Sequence, residues 1–384
     1  FELIITAMAL LVAFSLFIAS LLIYKRIFNP FTIGNVMVLL AVVIMPWFRV
    51  WFLHTEMYWL TDTIISFYLI SFFAGLLIKK PLIALPEKET SKKVYGVIAV
   101  LLLVALPFFA IKFLAYDFSF VGLRSFYYEA RFGGFGFVFL LVSNLLLAGF
   151  LYAVFRKHWL IAIFIFPMLA LFGQKTLLLS AVLGIACMAE HLFKIKLSVI
   201  LGGIATAIVG LIFLHYASAY GNLPSPFELA VLYFDYYDNL SRLATELFQA
   251  NHFTFLYGEI LSGEAIRYIP RFVWHTKPEI YSHLLIHDQL LPWHLIHGYT
   301  PSFLELIASP LTDFGFIGLL AAGLLRGYLY GFFYQNFNQQ KNVFVFLLLF
   351  LLWYNEIILV FGLVLMLLLS LPSIKKWILF KKEF

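Results

Sequence analysis

Apolar runs of about twenty residues follow one another along most of the chain, beginning with Leu3 to Tyr24. Coiled as helices, runs of that length match the roughly 30 Å hydrocarbon thickness of a bilayer. Composition removes the soluble alternative. Of the 384 residues 63% are hydrophobic and 12% charged, and the mean hydropathy is +0.97. That is too little charge to clothe soluble domains. The expected fold class is therefore all-α: a polytopic transmembrane helix bundle. The single cysteine, Cys187, lies in an apolar run and excludes a disulfide framework. Residue 1 is Phe, so further residues are expected before it. The first run lacks both a basic start and an A-x-A cleavage site, and is expected to be a retained span rather than a signal peptide.

Eleven spans are expected, near 2–24, 32–53, 61–78, 95–115, 135–155, 159–173, 175–190, 197–217, 310–334, 343–356 and 358–373. The short connections carry the orientation signal, because cytoplasmic loops concentrate Lys and Arg. Lys25-Arg26, Lys79-Lys80 with Lys88, Lys92 and Lys93, Arg156-Lys157, Lys194 and Lys196, Lys341, and the basic tail Lys375 to Lys382 all fall on one side. That side is read as cytoplasmic. The connections 54–60, 116–134 and 219–309 then face outward. Three regions follow: N-terminal helices over 1–218 with an Arg-bearing outer loop at 116–134, a large outer loop at 219–309, and C-terminal helices with a basic tail over 310–384. The turn Gly173-Gln174-Lys175 is a candidate re-entrant point.

The outer segment from Ala219 to Ser309 is where the apolar pattern stops. It holds six of the chain's ten His, together with Arg242, Arg267, Arg271 and Lys277. About ninety residues is too long for a mere connection, and such loops usually carry function; short helices are expected inside it. The cytoplasmic loops are too short for a nucleotide-binding domain, and the chain has no P-loop, no G-x-G-x-x-G and no protein-kinase set. Any synthetic chemistry outside the cytoplasm needs a substrate that brings its own activation through the membrane. A lipid-linked diphosphate meets both conditions.

Basic residues on the outer side break the charge bias, so each asks for a reason. Arg124 and Arg131 are seven residues apart and share a face if helical. Two guanidinium forks on one face suit a diphosphate or an anionic sugar, against the plainer reading of snorkelling to lipid headgroups. Lys175 at membrane depth is by default a functional hypothesis, the alternative being a cap for its turn. Asp235, Asp238, Arg242 and Glu246 recur every three or four residues, giving a helix with one charged face. Most of these charges are read as solvated or mutually paired; Arg242 is the one that most needs testing. The run Arg267-Tyr-Ile-Pro-Arg271-Phe-Val-Trp274-His-Thr-Lys277-Pro278 holds three cations and three aromatics, and its prolines forbid one continuous helix. Anions would meet the cations and sugar rings the aromatics; interfacial anchoring by Trp, Tyr and Arg is the plainer account. His283 with His287, and His294 with His297, have spacings that a metal could use. Without H-E-x-x-H or a cysteine partner, no metal is expected; one of them as a general base fits better. Glu305, among Leu, Ile and Ala, is expected to titrate high and to serve acid–base work, or else to pair with one of the arginines. Gly323, Gly327 and Gly331 fall every fourth residue and read as a helix-packing face.

Several patches together resemble a Wzy-type oligosaccharide repeat-unit polymerase, a GT-C-like membrane glycosyltransferase related to O-antigen ligases. They are Asn29-Pro30, Gly173-Gln-Lys175, Tyr257-Gly258, Ile269-Pro-Arg271 with Trp274 and Lys277-Pro278, and Pro301-Ser302 with Glu305, Phe314-Gly315 and Gly318. The resemblance implies a multi-pass bacterial inner-membrane enzyme with its active site facing the periplasm. It joins undecaprenyl-diphosphate-linked oligosaccharides without a nucleotide sugar, metal or other cofactor. The implied partners are those lipid-linked glycans, the bilayer and a chain-length-regulating membrane protein, with no nucleic acid. Carried onto this chain, Arg124, Arg131, Lys175, Arg242, Arg267, Arg271 and Lys277 would hold the diphosphates, with Trp274 and Tyr299 against the glycan. His297 or Glu305 would deprotonate the acceptor hydroxyl. The nearest alternative is an O-antigen ligase transferring glycan to the lipid A core; a flippase or transporter of lipid-linked oligosaccharide is further off, since the chain shows no internal repeat.

Overall fold

A computed structural model describes residues 2–52, 58–82, 96, 99–100, 103, 136–171, 175–193, 195–196, 198–207, 210, 236–250, 254–266, 269, 273–280, 282–290, 303–341 and 343–351. Among these residues the fold is all-α, with no strand. The helices are α1 (Glu2–Tyr24), α2 (Pro30–Phe52), α3 (Tyr58–Leu77), α4 (Gly136–Phe155), α5 (Trp159–Leu171), α6 (Lys175–His191), α7 (Tyr236–Thr245), α8 (Glu259–Ile266), α9 (Leu284–Leu290), α10 (Glu305–Gln340) and α11 (Val343–Leu351). By length and composition alone, two of them suit a membrane crossing: Trp59–Leu77 within α3, and α10. The chain divides into two units. The first holds residues up to Lys80, Phe227–Ile269 and Trp274–Phe332; the second holds Pro81–Pro226, Pro270–Val273 and Phe333–Phe384.

The first unit is built on α1, α2, α3 and the long α10. Asn29 starts α2: its Oδ1 accepts the N–H groups of Phe31 at 2.9 Å and Thr32 at 3.1 Å, and Pro30 occupies the first helical position. The Asn29 amide group also donates to Ser20 Oγ and to the Arg26 carbonyl, both at 2.9 Å, which ties the end of α1 to the start of α2. On α1 the usual radial order is inverted. Ala9, Ala13 and Ser20 face inward, while Leu11 (61%), Phe14 (59%) and Leu22 (74%) stand exposed on the opposite side. Small residues at the contact let backbones approach. The same logic joins α3 to α10. A Cβ on Gly75 would strike the Leu324 carbonyl, and a Cβ on Gly327 would strike that of Phe72. The glycine face expected at Gly323, Gly327 and Gly331 is thus the contact with α3 and with the Lys80 side chain just beyond it.

α10 begins at Glu305, five residues before the span expected from 310, and it is not continuous. Phe314 (φ −138°, ψ 16°) and Gly315 (φ 61°, ψ −146°) leave helical geometry. The Gly315 conformation is essentially closed to residues with a Cβ. Hydropathy cannot reveal this break, because both halves are apolar.

The second unit packs α4 against α5, α6 and α11. Leu146, Leu147, Phe150 and Leu151 of α4 are buried, and the rings of Phe155, Phe337 and Phe346 cluster within 6.5 Å of one another. His191, at the end of α6, places Nδ1 2.9 Å from the Cys187 carbonyl. Its Nε2 accepts from the Tyr334 hydroxyl at 2.8 Å, so the buried ring spans two helices. Here too large side chains point outward: Leu160 of α5 is 86% exposed.

Candidate functional site

The polar segment folds as helices against the apolar ones of its unit. Residues 236–245 form the expected helix, α7, whose inner face buries Tyr236, Tyr237, Leu240, Leu243 and Ala244. Asp238 stands in its first turn and exposed Arg242 in its last, each at the end where the helix dipole favours its sign. From Glu246 to Ala250 the chain widens into a π-helical turn, a feature often found near functional sites. The Tyr237 hydroxyl donates to Asp62 of α3, and both side chains are buried. Asp62 was not singled out from the sequence. The available signal was a carboxylate inside an apolar run, which is costly to place and calls for a partner.

A second attachment lies at the α10 break. The carbonyls of Thr312 and Asp313 accept the N–H groups of Leu256 and Tyr257, both at 3.1 Å. The Asp313 carboxylate accepts from Ile260 N at 3.1 Å and Leu261 N at 3.0 Å, capping the first turn of α8 from outside. Tyr257 (φ 47°) and Gly258 (φ 97°) turn the chain between these two sets of bonds, and Tyr257 is 80% exposed. The patches Tyr257-Gly258 and Asp313-Phe314-Gly315, separate in sequence, are one structural device.

The loop of cations and aromatics is described only in part. Trp274 is half-buried, and its indole N–H donates to Thr276 Oγ1 at 3.0 Å. Lys277 is buried, and its Nζ donates to the Ile269 carbonyl at 3.0 Å, so its ammonium is turned into its own loop. Glu305 is half-buried and is the first residue of α10. Lys175 opens α6 in the second unit. Arg124, Arg131, Arg267, Arg271, His294, His297 and Tyr299 lie outside the described residues.

A further cluster forms where α8 meets α9. Ser282 has a positive φ of 61° and is buried; its hydroxyl donates to Glu264 Oε1 of α8. His283 Nδ1 lies 3.4 Å from the same carboxylate oxygen and 3.3 Å from the Ser282 hydroxyl. One turn along α9, the buried His287 ring sits edge-on to Phe303 at 5.0 Å and to His283 at 6.1 Å. Glu264 and Ser282 carry no sequence signal, because their relation to His283 exists only once α8 and α9 pack. Among the described residues no group of three or more His, Cys, Asp or Glu is arranged to hold a metal ion.

No protein-family model, no curated protein and no solved structure matches this chain.

Proposed function

We propose that this chain is a bacterial inner-membrane glycosyltransferase that polymerises undecaprenyl-diphosphate-linked oligosaccharide repeat units on the periplasmic face. The observation that carries the reading is the attachment of the polar segment. Its helices are latched to apolar helices through Asp62 and Asp313, as a catalytic region held at a membrane surface would be. The inverted pattern of α1, with alanines inward and Leu and Phe outward, supports a lipid surrounding. The charge alternation of the eleven expected spans supports the orientation.

On this reading the growing glycan passes from its lipid diphosphate to the sugar of the next lipid-linked unit. The bond from the anomeric carbon to the diphosphate breaks as a bond to the acceptor oxygen forms. Arg124, Arg131, Lys175, Arg242, Arg267 and Arg271 are assigned to the diphosphates, where cations stabilise the charge that builds on the leaving group. Lys277 joins that assignment less directly, because its ammonium is engaged by the Ile269 carbonyl. Trp274 and Tyr299 are assigned to the glycan, and the acceptor proton to a general base of the polar segment, either Glu305 or one of His283, His287, His294 and His297. The activation travels with the lipid, so no nucleotide sugar is needed. A chain-length-regulating membrane protein is the partner proposed beside the substrate.

The break in α10 favours one second reading, a transporter of the same lipid-linked glycans, since interrupted helices line many transport paths. Gene deletion separates the possibilities on a gel of surface polysaccharide. Loss of a polymerase leaves a single repeat unit on the lipid A core. Loss of a ligase leaves polymer on undecaprenyl diphosphate and none on the core, and loss of a flippase removes both. An unchanged glycan would rule out all three. Arg271→Ala should abolish polymer while the protein still inserts; normal chain length in that variant would end the diphosphate assignment.

A further inference from the structure

The geometry points to His283, oriented by Glu264, as the general base that takes the proton from the acceptor hydroxyl; this rests on the glycosyltransferase reading above. A useful base needs an imidazole in a defined tautomer with its other nitrogen open. The Glu264 carboxylate faces Nδ1 of His283 at 3.4 Å. A carboxylate accepts only, so Nδ1 carries the hydrogen and Nε2 keeps its lone pair. The side chain of His283 is 15% exposed, shielded but reachable.

The surroundings of that pair are built to hold the carboxylate. The Ser282 hydroxyl donates to the same Oε1, and it reaches there from a left-handed backbone that serine seldom adopts. Gly263, beside Glu264, packs directly on the Ser282 backbone. A Cβ at Gly263 would lie 2.8 Å from Ser282 Cα, closer than real Cβ atoms come. A positive-φ serine in the turn before α9 and a glycine of α8 packed on its backbone thus converge on one carboxylate and one imidazole. Strain of this kind is retained where the surrounding structure over-determines it, often at functional positions. The titratable groups facing His283 among the described residues are Glu264 of α8 and His287 of α9.

In the reaction, the acceptor O–H proton moves to His283 Nε2 while the acceptor oxygen bonds the anomeric carbon. The anomeric bond to the diphosphate breaks, and its electron pair leaves with undecaprenyl diphosphate. The imidazolium then returns its proton to water or to the departing phosphate. Glu264 touches neither sugar; it is a positioning residue that holds the imidazole.

The test uses membranes carrying the full chain, supplied with undecaprenyl-diphosphate-linked repeat units extracted from a strain lacking it, with released undecaprenyl diphosphate as readout. His283→Asn places an amide donor near Nδ1, keeping the contact with Glu264, and removes Nε2. Its initial rate should fall about 100-fold or more. Glu264→Gln keeps a hydrogen-bonding partner and removes the charge. Its initial rate should fall about 10-fold, and Glu264→Asp, which restores the carboxylate, should recover part of the loss, a rescue that misfolding does not produce. Wild-type rates in His283→Asn overturn the base, and a wild-type rate in Glu264→Gln overturns the positioning role. A wild-type chain that releases no undecaprenyl diphosphate overturns the glycosyltransferase reading and this assignment with it. An active wild type with an active His283→Asn removes only the assignment.

Discussion

Replacing Asp313 by Ala tests the joint between the polar segment and α10. The buried carboxylate accepts from Ile260 N at 3.1 Å and Leu261 N at 3.0 Å, and Ile260 is itself fully buried. Each hydrogen bond to a charged acceptor contributes about 1.5–3 kcal/mol, so two lost bonds set an upper limit of about 3–6 kcal/mol. Loss of an ordinary N-cap costs about 0.5–2 kcal/mol, which sets the lower limit. The backbone bonds from Leu256 and Tyr257 to Thr312 and Asp313 need no side chain and survive the substitution. The expected local loss is therefore about 2–4 kcal/mol, confined to the start of α8. Amide hydrogen exchange reads local opening directly, and the amides of residues 258–262 should exchange roughly 30- to 1,000-fold faster. Asp313→Asn retains an acceptor oxygen without the charge and should lose about half as much. If Ile260 and Leu261 exchange at wild-type rates in Asp313→Ala, the carboxylate is not the latch. If protection falls equally at Phe72–Leu76 of α3, the damage is global and the local argument is wrong.

Gly327→Val should destabilise by about 1–3 kcal/mol or more, because the new Cβ meets the Phe72 carbonyl rather than a movable side chain. Thermal unfolding in detergent measures it, with Gly202→Ala, where a Cβ has open space, as the comparison; equal midpoints would contradict the close contact of α3 and α10. Lys80 is buried just past α3, its ammonium donating to the Leu76 and Ile78 carbonyls, and burial pushes its pKa down to about 8. The unfolded chain, titrating near the ordinary value of 10.5, binds that proton more tightly. Stability should therefore rise as pH increases from about 8 to about 10.5, and Lys80→Met should flatten that rise. A slope that persists in Lys80→Met would assign the effect to other groups.

Hydropathy and local chemistry made some elements legible and hid others. The Asn29-Pro30 start of α2 is readable because a cap and a proline act within four residues of sequence. The charged face of α7 is readable for the same reason: Asp238 and Arg242 are one turn apart. The glycine face of α10 showed in its four-residue spacing, although its partner, Gly75 on α3, did not. What stayed hidden is every relation that depends on a distant partner. Asp62 finds its donor 175 residues away, and Asp313 finds its own 52 and 53 residues away. Lys277 reads as an available cation in sequence, and the structure turns it toward Ile269 instead. Spacing brought His283 and His287 forward together as a pair that a metal could use. Packing distinguishes them, setting Glu264 and Ser282 against one and Phe303 against the other.

The break at Phe314 and Gly315 links these observations. On the membrane reading, an interrupted helix needs every freed peptide group satisfied by protein, since lipid offers no hydrogen bonds. Here the carbonyls of Thr312 and Asp313 are met by the N–H groups of Leu256 and Tyr257, within the polar segment. The segment is therefore not a domain hung on a finished bundle, because α10 could not keep its break without it. The dependence runs the other way as well: α8 starts where the Asp313 carboxylate places it, and Glu264 lies four residues further along α8 than Ile260. The carboxylate that orients His283 thus takes its position from the interrupted helix. A perturbation of the break should reach the proposed base through α8 without any change at His283 itself.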